Sequence, residues 1–425
     1  MKKAMFIGNI ILTAALMLTA CDKDPKTNPG NGDNPATPIP KDREDIVLTK
    51  TQQQIGYNAN AFTFDFLRAA SAKEDAGKNL FLSPFSIQMA LAMTAAGADG
   101  DTQTEMYDAL RFGGFSGTEV GGFYHTIIPA LQNVDNTTTF EIANSFWSKS
   151  FIPVKDTYKQ DIEGNFSAEV RTLPDDSKAA TSQVNGWCSE KTHGMIQKIV
   201  DEVSESTVVA LMNALYFKGM WSDQFDKELS REDKFTNWDG SSKKTQFMNK
   251  SFENARVYSD EYVEAMSVPY GNKAFAMTIV VPRDGSSPEK VLAGLDAEKW
   301  AMYRDGGSFY HTEFSMPRFE EEYSAEQLCI DILQDMGMKL AFTNAANFSA
   351  MSTAPMCIDE IRHKAKIKVD EEGTEAAAVT YIGMRLTSVG PGGKTFYFKA
   401  DRPFLYFISE QSTGAILFAG IKQAF

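Results

Sequence analysis

The sequence predicts an α+β protein, because helical patterns dominate its first half and mainly strand-like segments follow. Between Gln52 and Ala70, apolar side chains recur every three or four residues, the spacing of one helix face. These side chains are Ile55, Ala59, Phe62, Phe66 and Ala69. A second helix is predicted to begin at Ser83 and Pro84, an N-cap and first-turn pair, and to end at Gly97.

The strand predictions rest on β-branched and aromatic segments bounded by turn-forming residues. They are VVALMNALYF (208–217), FAMTIVVP (275–282), AKIKV (365–369), TFYFKADRPFLYFIS (395–409) and AILFAGI (415–421). No repeat of 20 to 50 residues and no internal linker interrupts the order of these elements. Residues 45–425 are therefore predicted to form one domain.

Composition limits the classes of function. The chain has 425 residues, of which 43% are hydrophobic, enough for a large core. Its formal net charge of −14 argues against nucleic-acid binding, because contact with phosphates requires clustered Lys and Arg. The widely spaced Cys188, Cys329 and Cys357 indicate buried small side chains and no disulfide framework.

The first 44 residues indicate export. Residues 1–20 combine Lys2 and Lys3 with an apolar stretch, as in a signal peptide, and the stretch is short for a membrane span. LTAC at 18–21 resembles the lipobox of bacterial lipoproteins, which implies lipidation of Cys21; an ordinary secretory peptide is the alternative. Proline-rich residues 21–44 are predicted to be a disordered tether. We expect an outer-membrane lipoprotein facing the periplasm or the cell surface, held to the membrane by its lipid only, with extracellular release as a further option.

Motifs for catalysis are scarce. The four histidines form no HExxH motif, and the sequence contains no CxxC pair and no GxSxG motif. We therefore expect neither a metal nor a cofactor. SVGPGGKT (388–395) mimics a phosphate-binding loop, but Ser388 occupies the first glycine position and a strand-like segment follows it. We expect no enzyme; a hydrolase whose triad assembles only in space is the competing hypothesis.

VDEEGTEAAAVT (369–380) is unusual in such an aromatic chain. After Gly373 nearly every side chain is small, no apolar stripe has helical spacing, and the segment ends in β-branched Val379 and Thr380. An irregular, glycine-rich stretch follows it. The segment therefore has a local conformational requirement that a simple helix does not explain.

Together with its surroundings this segment resembles the reactive-loop hinge of serpins, the serine-protease-inhibitor family. Six blocks resemble the family in its own order over about 330 residues, and they are 79–106, 184–196, 211–226, 314–328, 361–380 and 400–408. The resemblance implies the serpin fold, a single large domain in which helices surround three β-sheets. It also implies an exposed reactive-centre loop at about 371–393.

The resemblance implies irreversible inhibition of serine endopeptidases, with cysteine endopeptidases as a further class. In the family a protease cuts the loop, forms an acyl-enzyme and is trapped when the loop inserts as a new strand of the central sheet. Because side chains alternate along a strand, Thr374, Ala376, Ala378 and Thr380 would face the core, and all are small and uncharged. The hinge comprises Glu371, Gly373, Thr374, Glu375, Ala376, Ala377 and Ala378. The alternative is a non-inhibitory serpin that acts as a binding or carrier protein.

Two sets of residues around the central sheet, called the shutter and the breach, also match the family. The shutter, beneath the strands that part, comprises Ser83, Ser86, Asn213 and His363. The breach, at the top of the sheet, comprises Trp221, Arg318 and Glu371. The family more often has lysine at the position of Arg318.

Counting from the hinge glycine by the family's usual spacing puts the cleaved bond between Thr387 and Ser388. Leu386 and Arg385 are the alternates for the residue before the cut. Thr387 suits elastase-like or subtilisin-like proteases, whereas Leu386 suits chymotrypsin-like and Arg385 trypsin-like ones. We expect these proteases as partners of a monomeric chain.

Overall fold

The computed structural model describes residues 40–325, 327–374 and 395–425. These residues form nine α-helices. Their bounds are α1 Lys50–Lys73, α2 Pro84–Ala96, α3 Gly100–Ala109, α4 Gly117–Asn133, α5 Asp156–Phe166, α6 Ser177–Lys191, α7 Pro288–Ala293, α8 Ala297–Asp305 and α9 Gln327–Asp335. None of the described helices is both long and apolar enough to cross a bilayer.

Side chains fix where the two predicted helices begin. Thr49 and Gln52 form a reciprocal capping box before α1. Ser83 caps α2 by accepting a hydrogen bond from the Ser86 amide, and Pro84 occupies the first turn.

Fifteen strands are present among the described residues. Their bounds are β1 Leu80–Leu82, β2 Thr139–Ser148, β3 Ala168–Thr172, β4 Val209–Met220, β5 Arg231–Thr236, β6 Ser242–Ser259, β7 Val263–Tyr270, β8 Phe275–Pro282, β9 Ser308–Pro317, β10 Phe319–Ala325, β11 His363–Val369, β12 Gly373–Thr374, β13 Thr395–Lys399, β14 Phe404–Glu410 and β15 Ile416–Lys422. The segment 395–409, predicted as one strand-like run, is two strands. Pro403 lacks an amide hydrogen and lies at the break between them.

The described strands form two hydrogen-bonded sheets. A six-stranded sheet has the order β10-β11-β12-β4-β2-β3. The other nine strands are continuous through the long strand β6, which carries a register shift between Phe252 and Ala255. Strand β6 pairs with β5 before the shift and with β7 after it, and it pairs with β9 on both sides of the shift. Strand β9 also pairs with β13, and the sheet continues from β7 through β8, β14 and β15 to β1. The described chain is therefore an α+β fold with helices around several sheets, as predicted; where the resemblance implied three sheets, the nine strands outside the six-stranded sheet are continuous through β6.

Two hydrophobic cores hold the six-stranded sheet. The large core contains most of the buried aromatic side chains and lies between this sheet, the nine-stranded sheet and helices α1, α2 and α4. A smaller core lies on the opposite face, where Trp187 and Cys188 of α6 pack with Met212 and Ala214 of β4. Helix α6 thus covers the outer face of the central strands.

Candidate functional site

Two residues of the predicted hinge, Gly373 and Thr374, lie inside the six-stranded sheet. Strand β12 pairs Gly373 with Met220 and Thr374 with Gly219 of β4. On its other side Thr374 pairs with Val369 of β11. The chain enters this position through a tight turn in which the backbones of Asp370 and Gly373 exchange hydrogen bonds of 2.9 and 3.2 Å.

Gly373 is required here by close backbone approach. A Cβ atom at this position would lie 2.0 Å from the carbonyl oxygen of Gly219 and 2.7 Å from Cα of Met220. Any side chain would therefore push β12 away from β4. The glycine lets the hinge enter the sheet.

Thr374 faces the core, as the predicted alternation requires. Its side chain is buried, and its Oγ1 lies 2.6 Å from the hydroxyl of Tyr270. The Tyr270 ring stacks on Trp221 with a centroid distance of 4.3 Å. Burial raises the pKa of the Tyr270 hydroxyl, so it remains a neutral hydrogen-bonding group at ordinary pH.

The breach residues hold the turn that precedes β12. The Trp221 indole Nε1 donates a 2.8 Å hydrogen bond to the Asp370 carbonyl oxygen, and the Trp221 amide donates to Glu372. The Glu371 carboxylate is almost fully buried, accepts a 2.6 Å hydrogen bond from Ser230 and lies 3.5 Å from Arg318. The structure thus brings the predicted breach residues together. The distance between Arg318 and the Glu371 carboxylate is long for an ion pair.

The predicted shutter residues form one connected set of hydrogen bonds. The Ser83 amide donates to His363 Nε2 at 3.1 Å, and the Ser83 hydroxyl donates to the Leu417 carbonyl oxygen at 2.7 Å. The Ser86 amide donates to the Ser83 hydroxyl at 3.2 Å, and the Ser86 hydroxyl donates to Oδ1 of Asn213. Helix α2 is therefore hydrogen-bonded to β4 through Ser86, and its N-cap residue Ser83 is hydrogen-bonded to β11 and β15.

His363 is held neutral in this set. Burial lowers its pKa to about 4, because a charged imidazole would lose its hydration. The neutral ring can accept the Ser83 amide hydrogen bond at Nε2, which a protonated ring cannot. Electrostatics and hydrogen bonding thus favour the same protonation state.

A cavity connects the shutter with Thr374. It is lined on the inner face by Asn213, Leu215 and Phe217 of β4 and by alternate residues of β11, and on the outer face by residues of α6 and the segment after it. Because side chains from both faces of the sheet border one cavity, β4 and β11 are parted along it. The cavity lies on the path that a continuation of β12 would take.

Sequence reasoning missed three residues of this site. Tyr270 and Ser230 contact the hinge from β7 and from the segment before β5, and nothing local marks them. Asn144 extends the shutter, since Asn213 Nδ2 donates to its Oδ1 at 2.6 Å and its own Nδ2 donates to the Phe166 carbonyl oxygen at 2.7 Å. Strand β2 also contains Glu141, Ser145 and Ser148, so nothing in its sequence singled out Asn144.

Several predicted residues lie outside the described residues. They are the later hinge residues Glu375, Ala376, Ala377 and Ala378, the residues at the expected cleavage site Arg385, Leu386, Thr387 and Ser388, and the expected lipidation residue Cys21.

Comparison with known proteins decides the family. The model of the family described as "Serpin (serine protease inhibitor)" matches residues 57–422. The chain belongs to the serpin family. Serpin B6 of Macaca fascicularis is 33% identical over 363 residues, which cover 82% of this chain and 93% of that protein.

Solved serpin structures agree with the fold. The native state of Tengpin, a thermophilic serpin, superposes with a TM-score of 0.79 at 28% identity, over 91% of this chain and 97% of Tengpin. Human thyroxine-binding globulin, solved in complex with its ligand, superposes with a TM-score of 0.77 at 23% identity, over 87% of this chain and 98% of that protein. The family thus includes protease inhibitors and binding proteins, and this serpin has the shared fold.

Proposed function

We propose that this serpin is an irreversible suicide-substrate inhibitor of serine endopeptidases, with cysteine endopeptidases as a second target class. The observation that supports the proposal best is the position of β12. Gly373 and Thr374 already pair with β4, and Thr374 with β11, so the hinge has begun the strand that trapping needs. A cleaved loop then has only to extend an existing pairing, without the cost of nucleating a new one.

Continuing the register of β12 gives each later hinge residue a definite place. Gly373 opposite Met220 and Thr374 opposite Gly219 set an antiparallel register, so each further residue meets one residue earlier in β4. Ala376 would then lie beside Phe217, and Ala378 beside Leu215. Both β4 side chains are large, buried and inward-facing, so a methyl group suits the position beside each of them better than a larger side chain would.

The same register brings Thr380 to the shutter. On the β4 side Thr380 would lie opposite Asn213, and on the β11 side, counted from Thr374 and Val369, it would lie opposite His363. Its hydroxyl can both donate and accept, so it suits the gap between an amide and a neutral imidazole.

The segment between the hinge and the expected cleavage site is long enough to pair along the rest of β4. Strand β4 has 12 residues, of which Gly219 and Met220 already pair with β12, and the 13 residues from 375 to the expected cleavage at Thr387 would cover about 43 Å when extended. The inserted segment would therefore reach the far end of β4. We infer that the cut follows Thr387, with Leu386 and Arg385 as alternates, and that the targets are elastase-like or subtilisin-like before chymotrypsin-like or trypsin-like proteases.

A denaturing gel tests the proposal. The serpin is mixed separately with pancreatic elastase, neutrophil elastase, trypsin and subtilisin. Trapping gives a covalent band at the summed mass, and sequencing the released fragment from its N-terminus identifies the bond. If every protease that cuts the loop leaves only cleaved serpin, the inhibitor proposal is wrong and a binding or carrier role, the alternative within the family, takes its place.

We also propose that Cys21 carries a lipid that holds the serpin at the outer membrane through the tether of residues 21–44. The support is the lipobox-like segment 18–21 at the end of a signal-like stretch. Cys21→Ala should move the protein from the membrane fraction to the soluble fraction. Equal membrane retention of the variant would contradict the anchor.

A further inference from the structure

Asn79, Glu321 and Lys422 meet where β1 pairs with β15, the first and last strands of the described chain. In this antiparallel pair Leu80 lies opposite Ile421, so Asn79, directly before β1, lies beside Lys422. Glu321 of β10 contacts both side chains. An amine, an amide and a carboxylate from distant parts of the chain are thus brought together.

One oxygen atom of Glu321 joins the other two side chains. Its Oε1 accepts a hydrogen bond from Nζ of Lys422 and a 3.0 Å hydrogen bond from Nδ2 of Asn79. The lysine and amide nitrogens are therefore neighbours around a single carboxylate oxygen. A carboxylate in this position can pass protons from one nitrogen to the other.

The side-chain carbonyl group of Asn79 is polarised by two backbone amides. Its Oδ1 accepts hydrogen bonds from the amide of Gln423 at 2.7 Å and from the amide of Ala424 at 3.0 Å. Its Nδ2 also donates a 2.9 Å hydrogen bond to the Ala424 carbonyl oxygen, which fixes the orientation of the side-chain amide. Two N–H groups that point at one carbonyl oxygen stabilise the negative charge that develops there when a nucleophile attacks the carbon.

The surroundings of Lys422 favour the neutral amine. Its side chain is only 4% exposed, and Nζ lies 3.8 Å from the centre of the Phe425 ring and 5.9 Å from that of Phe319. Burial lowers the pKa of Lys422, because the charged ammonium group loses its hydration. Transfer of a proton to Glu321 then leaves an uncharged amine, which is a nucleophile.

We propose that Lys422 and Asn79 form an intramolecular isopeptide bond, and that Glu321 is the catalytic residue that moves the protons. Glu321 takes one proton from the Lys422 ammonium group, and the lone pair of Nζ then attacks Cγ of Asn79. The negative charge that appears on Oδ1 is stabilised by the two backbone amides. A second proton passes from Nζ through the carboxyl group to Nδ2, the Cγ–Nδ2 bond breaks, and ammonia leaves. The ammonia takes the first proton from Glu321, which restores the carboxylate and balances the charge without a co-reactant.

The bond would close residues 79–422 into a covalent ring beside the shutter. Ser83 follows β1 and donates to the carbonyl oxygen of Leu417 in β15, so the bond would keep together the two strands that meet at this end of the shutter. The three cysteines of the described residues are free, so no disulfide among them provides such a link. The bond would form whether or not the chain traps proteases.

Peptide mass spectrometry of the full chain tests for the bond. Trypsin cuts after Lys78, Arg111 and Lys399, but it cannot cut after an acylated Lys422. The bond therefore gives one branched peptide of residues 79–111 and 400–425, lighter than the sum of its two parts by the mass of one ammonia molecule. The digest is made after purification and again after prolonged incubation of the folded protein at neutral pH.

The variants K422R, E321Q and N79A should each give only linear peptides. K422R keeps a cation beside Glu321, so it decides the question if the other two variants fail to fold. The matched control is K364R, a change at the Lys364–Glu322 ion pair of 2.6 Å between β11 and β10, which should form the branched peptide as the wild type does.

Three outcomes would contradict the proposal. If the wild type gives only linear peptides after incubation, the bond does not form, and the three side chains are a buried ion pair with a hydrogen-bonded amide. If an equal loss of ammonia persists in K422R, the reaction occurs at another site. If E321Q folds and forms the branched peptide at the wild-type yield, Glu321 does not catalyse the reaction.

Discussion

The Tyr270 hydroxyl lies 2.6 Å from Oγ1 of Thr374, a residue 104 positions later in the chain. This contact joins the end of β7 to the two hinge residues that have entered the six-stranded sheet. It is buried, and the aromatic stack with Trp221 fixes the tyrosine ring. The hinge is therefore held by a specific side-chain partner as well as by backbone pairing.

Tyr270→Phe should destabilise the native protein by about 1 kcal/mol, because it leaves the buried Thr374 hydroxyl without this partner. Amide hydrogen exchange at Gly373 and Thr374 should also accelerate. The measurements are thermal unfolding and exchange monitored by mass spectrometry. Tyr406→Phe is the matched control, since the buried Tyr406 hydroxyl has no hydrogen-bond partner among the described residues and its removal should be neutral. Equal effects of the two changes would show that the Tyr270–Thr374 bond contributes nothing.

Thr374→Arg should convert the proposed inhibitor into a substrate. The side chain already faces the core in β12, where a guanidinium cannot be hydrated, so keeping residue 374 in the sheet during insertion would bury an unpaired charge at a cost of several kcal/mol. The stoichiometry of inhibition, measured by titrating a protease with the serpin, should rise severalfold or more. Thr374→Ser keeps the hydroxyl and the small volume and should leave the stoichiometry near the wild-type value. If the arginine variant traps the protease as well as the wild type does, the side chain of residue 374 does not face the core during insertion.

Sequence patterns predicted the secondary structure and family well because those signals are local or collective. The cap at Ser83 and the alternation along β11 each depend on a few neighbouring residues. The contacts of Thr374 could not be predicted from local sequence. Tyr270 and Gly219 are distant in the chain and come close to Thr374 only through the topology of two sheets. The break at Pro403 was missed because the flanking segments are both strongly β-forming, although the proline itself was a visible signal.

Protonation of His363 should weaken the native state in acid. Its folded pKa of about 4 lies below the ordinary histidine value of about 6.5, so the unfolded chain binds the proton more readily. The stability associated with the neutral ring is complete above pH 6.5 and is lost as the pH falls towards 4, by roughly 3 kcal/mol in total. The melting temperature of the wild type should fall through this range.

His363→Asn tests the assignment of this acid sensitivity. The variant should melt lower at pH 7, because the fit between Ser83 and the ring is lost, and its melting temperature should depend less on pH between 4 and 6.5. His125→Asn, a change at an exposed histidine of α4, should retain the wild-type pH dependence. An undiminished slope in His363→Asn would assign the acid sensitivity to other groups.

Thr380→Val tests the proposed register of the inserted loop. If Thr380 comes to lie between Asn213 and His363, valine leaves their polar atoms facing a methyl group, and the loop-cleaved protein should lose about 1 to 3 kcal/mol of stability. The intact protein should change much less. Thr380→Ser, which restores the hydroxyl, should recover most of the stability of the cleaved form. The measurement is the melting temperature of each variant before and after limited cleavage of the loop. If the cleaved valine variant melts like the cleaved wild type, residue 380 does not lie at the shutter. If cleavage raises the melting temperature of none of these proteins, the loop does not insert.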